Sequence, residues 1–188
     1  MRAVRLLFGL GIAVLLAGCV PSLHPLYTEN DLVLESKLVG TWQGTTEGSE
    51  GETWVFKQAK EKVYDLTITC DGEPAEFEAR LVRLGGAVFM DTYPKNLVKK
   101  FKNDYLQTHL IPSHNFARVE VREDVLLVEM LNPAWLEELL DKDDTAIAHD
   151  SVEDETVLTA STADLQKFFR KYADSEDAFE PAELRRKK

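Results

Sequence analysis

Two histidines five residues apart, His109 and His114, are the first candidates for chemistry in this sequence. Together with a carboxylate such as Asp91 or Asp104, a histidine pair can bind a metal ion or transfer a proton during catalysis. Pro112 interrupts the segment between them, and no His-Glu-x-x-His or Cys-x-x-Cys arrangement supplies a third ligand. We therefore expect structural histidines, no metal and no cofactor, and keep a hydrolase that uses His109 and His114 as an alternative.

An acidic run, Asp141, Asp143 and Asp144, could supply oxygen ligands to calcium. A calcium loop that starts at Asp141 needs glycine at its sixth position and glutamate at its twelfth, where Ala146 and Val152 stand. The chain also lacks the glycine-rich and Gly-x-Ser-x-Gly patterns of nucleotide-binding proteins and hydrolases. We predict no catalytic residue and a solvated helix end at the acidic run.

The first nineteen residues have the three parts of an export signal. Arg2 and Arg5 precede an apolar run from Leu6 to Leu16, and small residues stand just before Cys19. The run is shorter than the roughly 20 residues that a membrane-spanning helix needs. We predict that residues 1–18 are a signal peptide that is cleaved in front of Cys19.

The tetrad Leu16-Ala17-Gly18-Cys19 resembles the lipobox of bacterial lipoproteins. The resemblance implies that the Cys19 thiol carries diacylglyceryl, which anchors the chain to a membrane through this lipid. Val20 stands where an aspartate would favour retention in the inner membrane, so we expect the outer membrane, facing the periplasm.

The chain is acidic, with a formal net charge of −11, and this charge repels nucleic acid. We expect no nucleic-acid partner. With Cys19 acylated, Cys70 has no partner for a disulfide, and its position on the face of Tyr64, Leu66 and Ile68 predicts a buried thiol. We divide the chain into the signal peptide, a lipidated tether at 19–36, a barrel domain with helices at 37–180 and a flexible charged tail at 181–188.

Short runs with two-residue periodicity, separated by turns such as Asp71-Gly72 and Gly85-Gly86, predict an antiparallel meander. The predicted strands are Leu38–Thr46, Glu52–Gln58, Lys62–Cys70, Ala75–Leu84, Ala87–Thr92, Leu106–Ile111, Asn115–Arg122 and Val125–Leu131, with one or two more between Thr145 and Thr159. Asn132-Pro133 starts one amphipathic helix, and Ser161 or Thr162 caps a second that continues to Tyr172.

A meander of this length leaves no free edge if it closes on itself. We therefore predict a mainly β fold, an up-and-down barrel of about eight to ten strands with two packed helices toward the C-terminus. Gly40-Thr41-Trp42 resembles the Gly-x-Trp motif of lipocalins, which implies that Trp42 plugs the closed end of the barrel under an arginine from a late strand. Arg118 and Arg122 are both candidates for that arginine.

Several short stretches, including Ser22-Leu23-His24-Pro25-Leu26-Tyr27 and Leu165-Gln166-Lys167-Phe168, resemble a group of uncharacterised bacterial lipoproteins, which supports the anchor and the fold but implies no activity. If the barrel keeps a cavity, the alternating face of Tyr64, Leu66, Ile68, Phe77 and Phe89 would line it. We expect non-catalytic binding of an apolar small molecule such as a lipid. The alternative is a scaffold with a filled barrel that binds an envelope protein partner.

Overall fold

The computed structural model describes residues 19–46, 49–97, 103–153 and 155–188. The predicted signal peptide lies outside the described residues. So do Lys99, Lys100 and Lys102, three of the four lysines in the basic segment 94–105 of the sequence. The described strands are β1 (Leu32–Val33), β2 (Gly40–Gly44), β3 (Thr53–Lys60), β4 (Val63–Cys70), β5 (Glu73–Leu84), β6 (Ala87–Pro94), β7 (Asn115–Arg122), β8 (Val125–Leu131), β9 (His149–Val152), β10 (Glu155–Leu158) and β11 (Phe179–Arg186). The described helices are α1 (Asp104–Gln107), α2 (Pro133–Lys142) and α3 (Thr162–Tyr172), with a 3-10 turn at Ser36–Leu38.

Eight of these strands close into one antiparallel barrel. Strands β2 to β8 pair in chain order, and β11 closes the circle between β8 and β2. The short β1 lies beside β5, with Leu32 opposite Val82. Strands β9 and β10 form a separate hairpin. The predicted mainly β, up-and-down barrel is confirmed.

The turn between β4 and β5 explains one of the hairpins. Asp71 and Gly72 have φ angles of 51° and 82°. Two consecutive positive φ angles are typical of the turns whose twist matches a β-hairpin, and Asp-Gly is a preferred pair there. The local sequence is therefore sufficient to fix this connection.

Part of the barrel wall is apolar on both faces because helices cover it from outside. One set of side chains lines the barrel interior, and a second set, from β5 to β8 and β11, lies under the helices. On the outside, the ring of Phe169 from α3 packs edge-on against Phe89 and Phe116, at centroid distances of 5.3 and 5.4 Å. Both predicted helices are confirmed, with Asn132 and Ser161 as their N-caps.

The segment predicted as a tether packs against the barrel wall instead. Backbone N–H groups of Ser22 and His114 each donate to the carbonyl oxygen of the other, both at 2.8 Å, and Leu26 is fully buried. Val20 and Leu32 also join the apolar layer under the helices. The predicted lipidated tether is therefore packed on the barrel along its length, because its apolar residues give it a face to bury.

One end of the barrel is closed by Trp42 and its neighbours. The indole Nε1–H of Trp42 donates to the carbonyl oxygen of Leu38 at 2.8 Å, and the guanidinium of Arg186 lies 4.1 Å from the centre of the indole ring. Arg186 also donates to the carbonyl oxygens of Val39, at 3.0 Å, and Lys37. A late-strand arginine therefore covers Trp42.

Neither predicted arginine has this place. Arg118 lies outside the barrel, where it pairs with Glu129 at 2.7 Å and stacks on the ring of Phe179. Arg122 pairs with the exposed Glu120. The prediction is wrong because Ala117, Val119 and Val121 take the inward positions of β7, which leaves Arg118 and Arg122 on the outer face.

The predicted flexible tail, 181–188, is also corrected. Most of it belongs to β11, in which Leu184 faces the interior while Glu183 and Arg185 form an ion pair at 2.8 Å. The many charged residues of this segment resemble a solvated tail in the sequence. In the structure, Glu183 and Arg185 lie on the outer face of a strand that closes the barrel.

Two smaller predictions are wrong. Leu106–Ile111 is predicted as a strand, but it begins with the last residues of the short helix α1, and most of the residues after the helix are exposed. The helical turn forms here because Asn103 caps it. Cys70 is exposed, because it is the last residue of β4 and lies beyond the packed interior, at the turn.

The Arg186→Ala variant is expected to lose about 2 kcal/mol of unfolding free energy, because it removes a cation–π contact and two charged hydrogen bonds. Arg122→Ala is the matched control, since the Arg122 side chain is exposed and forms a surface pair with Glu120. Urea unfolding monitored by tryptophan fluorescence measures both. Equal midpoints for the two variants would contradict a closing role for Arg186.

Candidate functional site

The two halves of the barrel interior differ. The half near Trp42 is filled, and its large side chains are at most 1% exposed: Leu38, Trp42, Phe56, Tyr64, Leu66, Leu81, Leu126 and Leu184. The other half holds a cavity of about 400 Å³. This volume falls within the range of about 300–1,000 Å³ that is typical of small-molecule sites.

The cavity is mainly apolar. Trp54, Ile68, Phe77, Met90 and Met130 contribute side chains from five different strands. Smaller residues, among them Ala117, Val128 and Ala182, leave the space that larger ones would fill. Such a lining suits a chain of methylene groups, because each methylene removed from water contributes about 0.8 kcal/mol.

Few polar groups reach this space. Thr92 and Asn115 lie opposite each other on β6 and β7, and the Thr92 hydroxyl donates to the backbone carbonyl oxygen of Asn115 at 3.2 Å. The side-chain oxygen of Asn115 is buried and has no hydrogen-bond partner within the ranges that the structure describes. Asn115 therefore offers an unused acceptor to whatever enters the cavity.

The mouth of the cavity carries acidic residues and Cys19. Glu52, Glu180 and Ser49 lie among its lining residues, and Glu52 accepts a hydrogen bond from the Trp54 indole at 2.9 Å. Desolvation at the rim raises the pKa of the Cys19 thiol; a backbone hydrogen bond opposes this effect, and Glu52 adds to it. A raised pKa keeps the thiol neutral, which is unfavourable for a nucleophile.

The predicted lining residues are divided between three places. Ile68 and Phe77 line the cavity, while Tyr64 and Leu66 lie deeper, in the filled half. Phe89 is outside the barrel, against Phe169, so its predicted face is wrong. The cause is that β6 is apolar on both faces, so its periodicity could not indicate which face is inward.

Sequence reasoning missed most of the cavity. The missed lining residues occupy alternate positions along their strands: Met90, Ala117, Val128, Met130 and Ala182. Several of their neighbours on the outer face, such as Phe89, Phe116 and Leu131, are also large and apolar, so the pattern did not indicate which set is inward. Asn115 is the first residue of the predicted strand Asn115–Arg122, and a polar residue at the inward end of an apolar strand is the one signal in the sequence that points to it.

The histidines do not form a joint site. His109 is exposed, whereas His114 is buried with its Nδ1 atom 2.7 Å from the Oδ1 atom of Asp91. The other Asp91 oxygen accepts the backbone N–H of Leu26 at 2.8 Å. The pair therefore binds the N-terminal segment to the barrel wall. Within the described ranges, no hydroxyl or thiol is hydrogen-bonded to the His114 ring.

The acidic run ends α2. Asp143 is the C-cap, and its carboxylate accepts hydrogen bonds from the hydroxyl and backbone N–H of Thr145, which lower the pKa of Asp143. Among the residues that the structure describes, no group of three or more histidine, cysteine, aspartate or glutamate side chains is placed to hold a metal ion.

Known protein families, curated proteins and solved structures contain no match to this chain. In the part of the chain that the structure describes, no helix is long and apolar enough to cross a membrane.

Proposed function

We propose that this chain is a lipoprotein held at the outer membrane by lipid on Cys19, facing the periplasm, and that its barrel binds an apolar ligand such as a lipid without catalysing a reaction. The observation that carries the proposal is the apolar cavity of about 400 Å³ at one end of a barrel whose other end is tightly packed. A barrel that served only as a scaffold would have no reason to keep this half empty, because unfilled space costs stability.

The position of Cys19 supports a link between the anchor and the cavity. Cys19 is exposed and lies at the cavity mouth, and the residues that follow it are bound to the barrel wall. Lipid attached to this residue would therefore hold the mouth close to the bilayer. An apolar ligand could then pass between membrane and cavity over a short distance.

A second function is favoured by a different observation. Three large apolar side chains between β6 and β7 are exposed, Tyr105 at 86%, Leu106 at 46% and Ile111 at 75%. An exposed apolar group of this kind suits contact with another protein. The alternative proposal is therefore a scaffold or accessory subunit of an envelope complex.

Native mass spectrometry separates the two proposals. The chain from residue 19 onward, with Cys19→Ser and exported behind a cleavable secretory signal, is purified gently from an envelope extract. Lipid binding predicts one apolar adduct per chain, which is lost on denaturation. A bare chain whose mass increases with concentration, and which returns to monomer when Tyr105 and Ile111 are replaced by serine, would contradict lipid binding and support the scaffold.

A further inference from the structure

The side-chain oxygen of Asn115 is the feature of the cavity that its apolar lining does not explain. It is the single buried side-chain nitrogen or oxygen atom without a hydrogen-bond partner among the described residues. Leaving a buried acceptor unpaired is unfavourable, because the hydrogen bond it made to water is lost and not replaced. A leucine of similar size would avoid this cost and would match the rest of the lining.

Its surroundings within the fold do not satisfy this oxygen. Across the strand pair, the Thr92 hydroxyl is directed to the Asn115 backbone oxygen. Two other polar residues of the same lining already have partners, since Ser49 is hydrogen-bonded to Thr46 and the Glu52 carboxylate accepts from the Trp54 indole. The Asn115 side chain, which is part of the cavity lining, therefore brings an acceptor that the described residues leave unpaired to the cavity wall.

The charges at the mouth restrict that molecule further. Glu52 and Glu180 line the entrance, and the whole chain has a net charge of −11. A negatively charged headgroup would be repelled by these carboxylates, and among the described residues that line the cavity none is a lysine or arginine that could compensate the charge. An uncharged group that donates a hydrogen bond could pair with the side-chain oxygen of Asn115 and would not be repelled by Glu52 and Glu180.

We infer that Asn115 makes the cavity selective for uncharged amphiphiles that place a hydroxyl group beside it, such as a monoacylglycerol, over fatty-acid anions and over esters without a donor. The inference rests on the proposed lipid-binding function and adds the class of lipid. A hydroxyl can also accept a hydrogen bond, so it can pair with the amide NH₂ of the same side chain.

Three probes with the same acyl chain test the inference: 1-monolauroylglycerol, methyl laurate and laurate. Binding to the exported chain with Cys19→Ser is measured by competition with a fluorescent apolar probe. We expect 1-monolauroylglycerol to bind on the order of tenfold more tightly than methyl laurate, and laurate to bind most weakly. Asn115→Leu should bring 1-monolauroylglycerol and methyl laurate within about twofold of each other.

Met130→Leu is the matched control, because Met130 lines the same cavity without a polar contact. It should shift the affinity for all three probes together and keep their order. Equal binding of the three probes by the unmodified cavity would overturn the inference and leave lipid binding intact, as would Asn115→Leu weakening all probes equally. Failure of every probe to bind would instead contradict the proposed function.

Discussion

Replacing Asp91 with alanine is expected to lower the free energy of unfolding by about 3–5 kcal/mol, the range for removing one partner of a buried pair. Asp91 is 2% exposed and contacts both the His114 ring and the Leu26 backbone N–H. Alanine would leave both groups buried without a partner. Since Leu26 also bonds Gln166 of α3 through its carbonyl oxygen, the effect should spread to the outer layer.

Urea unfolding measures the loss, with Asp91→Asn and Glu120→Ala as controls. The asparagine oxygen can still accept the Leu26 N–H, so Asp91→Asn should be clearly less destabilised than Asp91→Ala. Glu120 forms an exposed pair with Arg122, and its replacement should leave the midpoint unchanged. If Asp91→Ala lowered the free energy of unfolding by less than about 1 kcal/mol, this would contradict the role of Asp91 in binding the N-terminal segment to the barrel wall.

The same variants test the direction of the pKa shift. Burial raises the pKa of Asp91, although hydrogen bonds and charge from His114 oppose it. The folded chain therefore holds this proton more tightly than the unfolded chain does. The contribution of Asp91 to the free energy of unfolding is therefore fully present below the ordinary carboxyl pKa. It is lost as the pH rises through the raised pKa of the folded chain. Across that window, the stability of the wild type relative to Asp91→Asn should fall, and parallel pH profiles would contradict the shift.

Local signals in the sequence were sufficient for the strand meander and for the helix starts. Asn132-Pro133 and Ser161 act within one helical turn, and Asp71-Gly72 acts within one hairpin, so their effects do not depend on the rest of the fold. The closed barrel followed because a long meander must cover its edges. These are short-range properties that the order of residues alone contains.

The candidate site depended on contacts between distant parts of the chain. Arg186 reaches Trp42 only because β11 pairs with β2, more than 140 residues earlier in the chain. Phe89 faces outward because α3 supplies an apolar partner there. A two-residue period gives alternation but not which face is inside, so the cavity, Asn115 and the packed N-terminal segment could not be predicted.

The binding of lipid inside the barrel is the central claim, and the second large effect tests it. Ala182 is opposite Val128 on the cavity wall, where a small side chain leaves space. Ala182→Trp should place an indole in that space and reduce the affinity for an apolar ligand by at least about tenfold, a change of roughly 1.4 kcal/mol. Ala182→Ser changes the same position without filling the cavity and should bind as the wild type does.

The most direct measurement is a titration of the exported Cys19→Ser chain with 1-monolauroylglycerol, carried out in parallel for the Ala182, Ala182→Ser and Ala182→Trp forms. The unfolding midpoint of each form, measured in the same buffer, identifies any loss that comes from the fold rather than from the filled cavity. We predict that the Ala182 and Ala182→Ser chains bind one molecule per chain and that the folded Ala182→Trp chain binds weakly. Equally tight binding by a folded Ala182→Trp chain would place the ligand outside the barrel and contradict the claim.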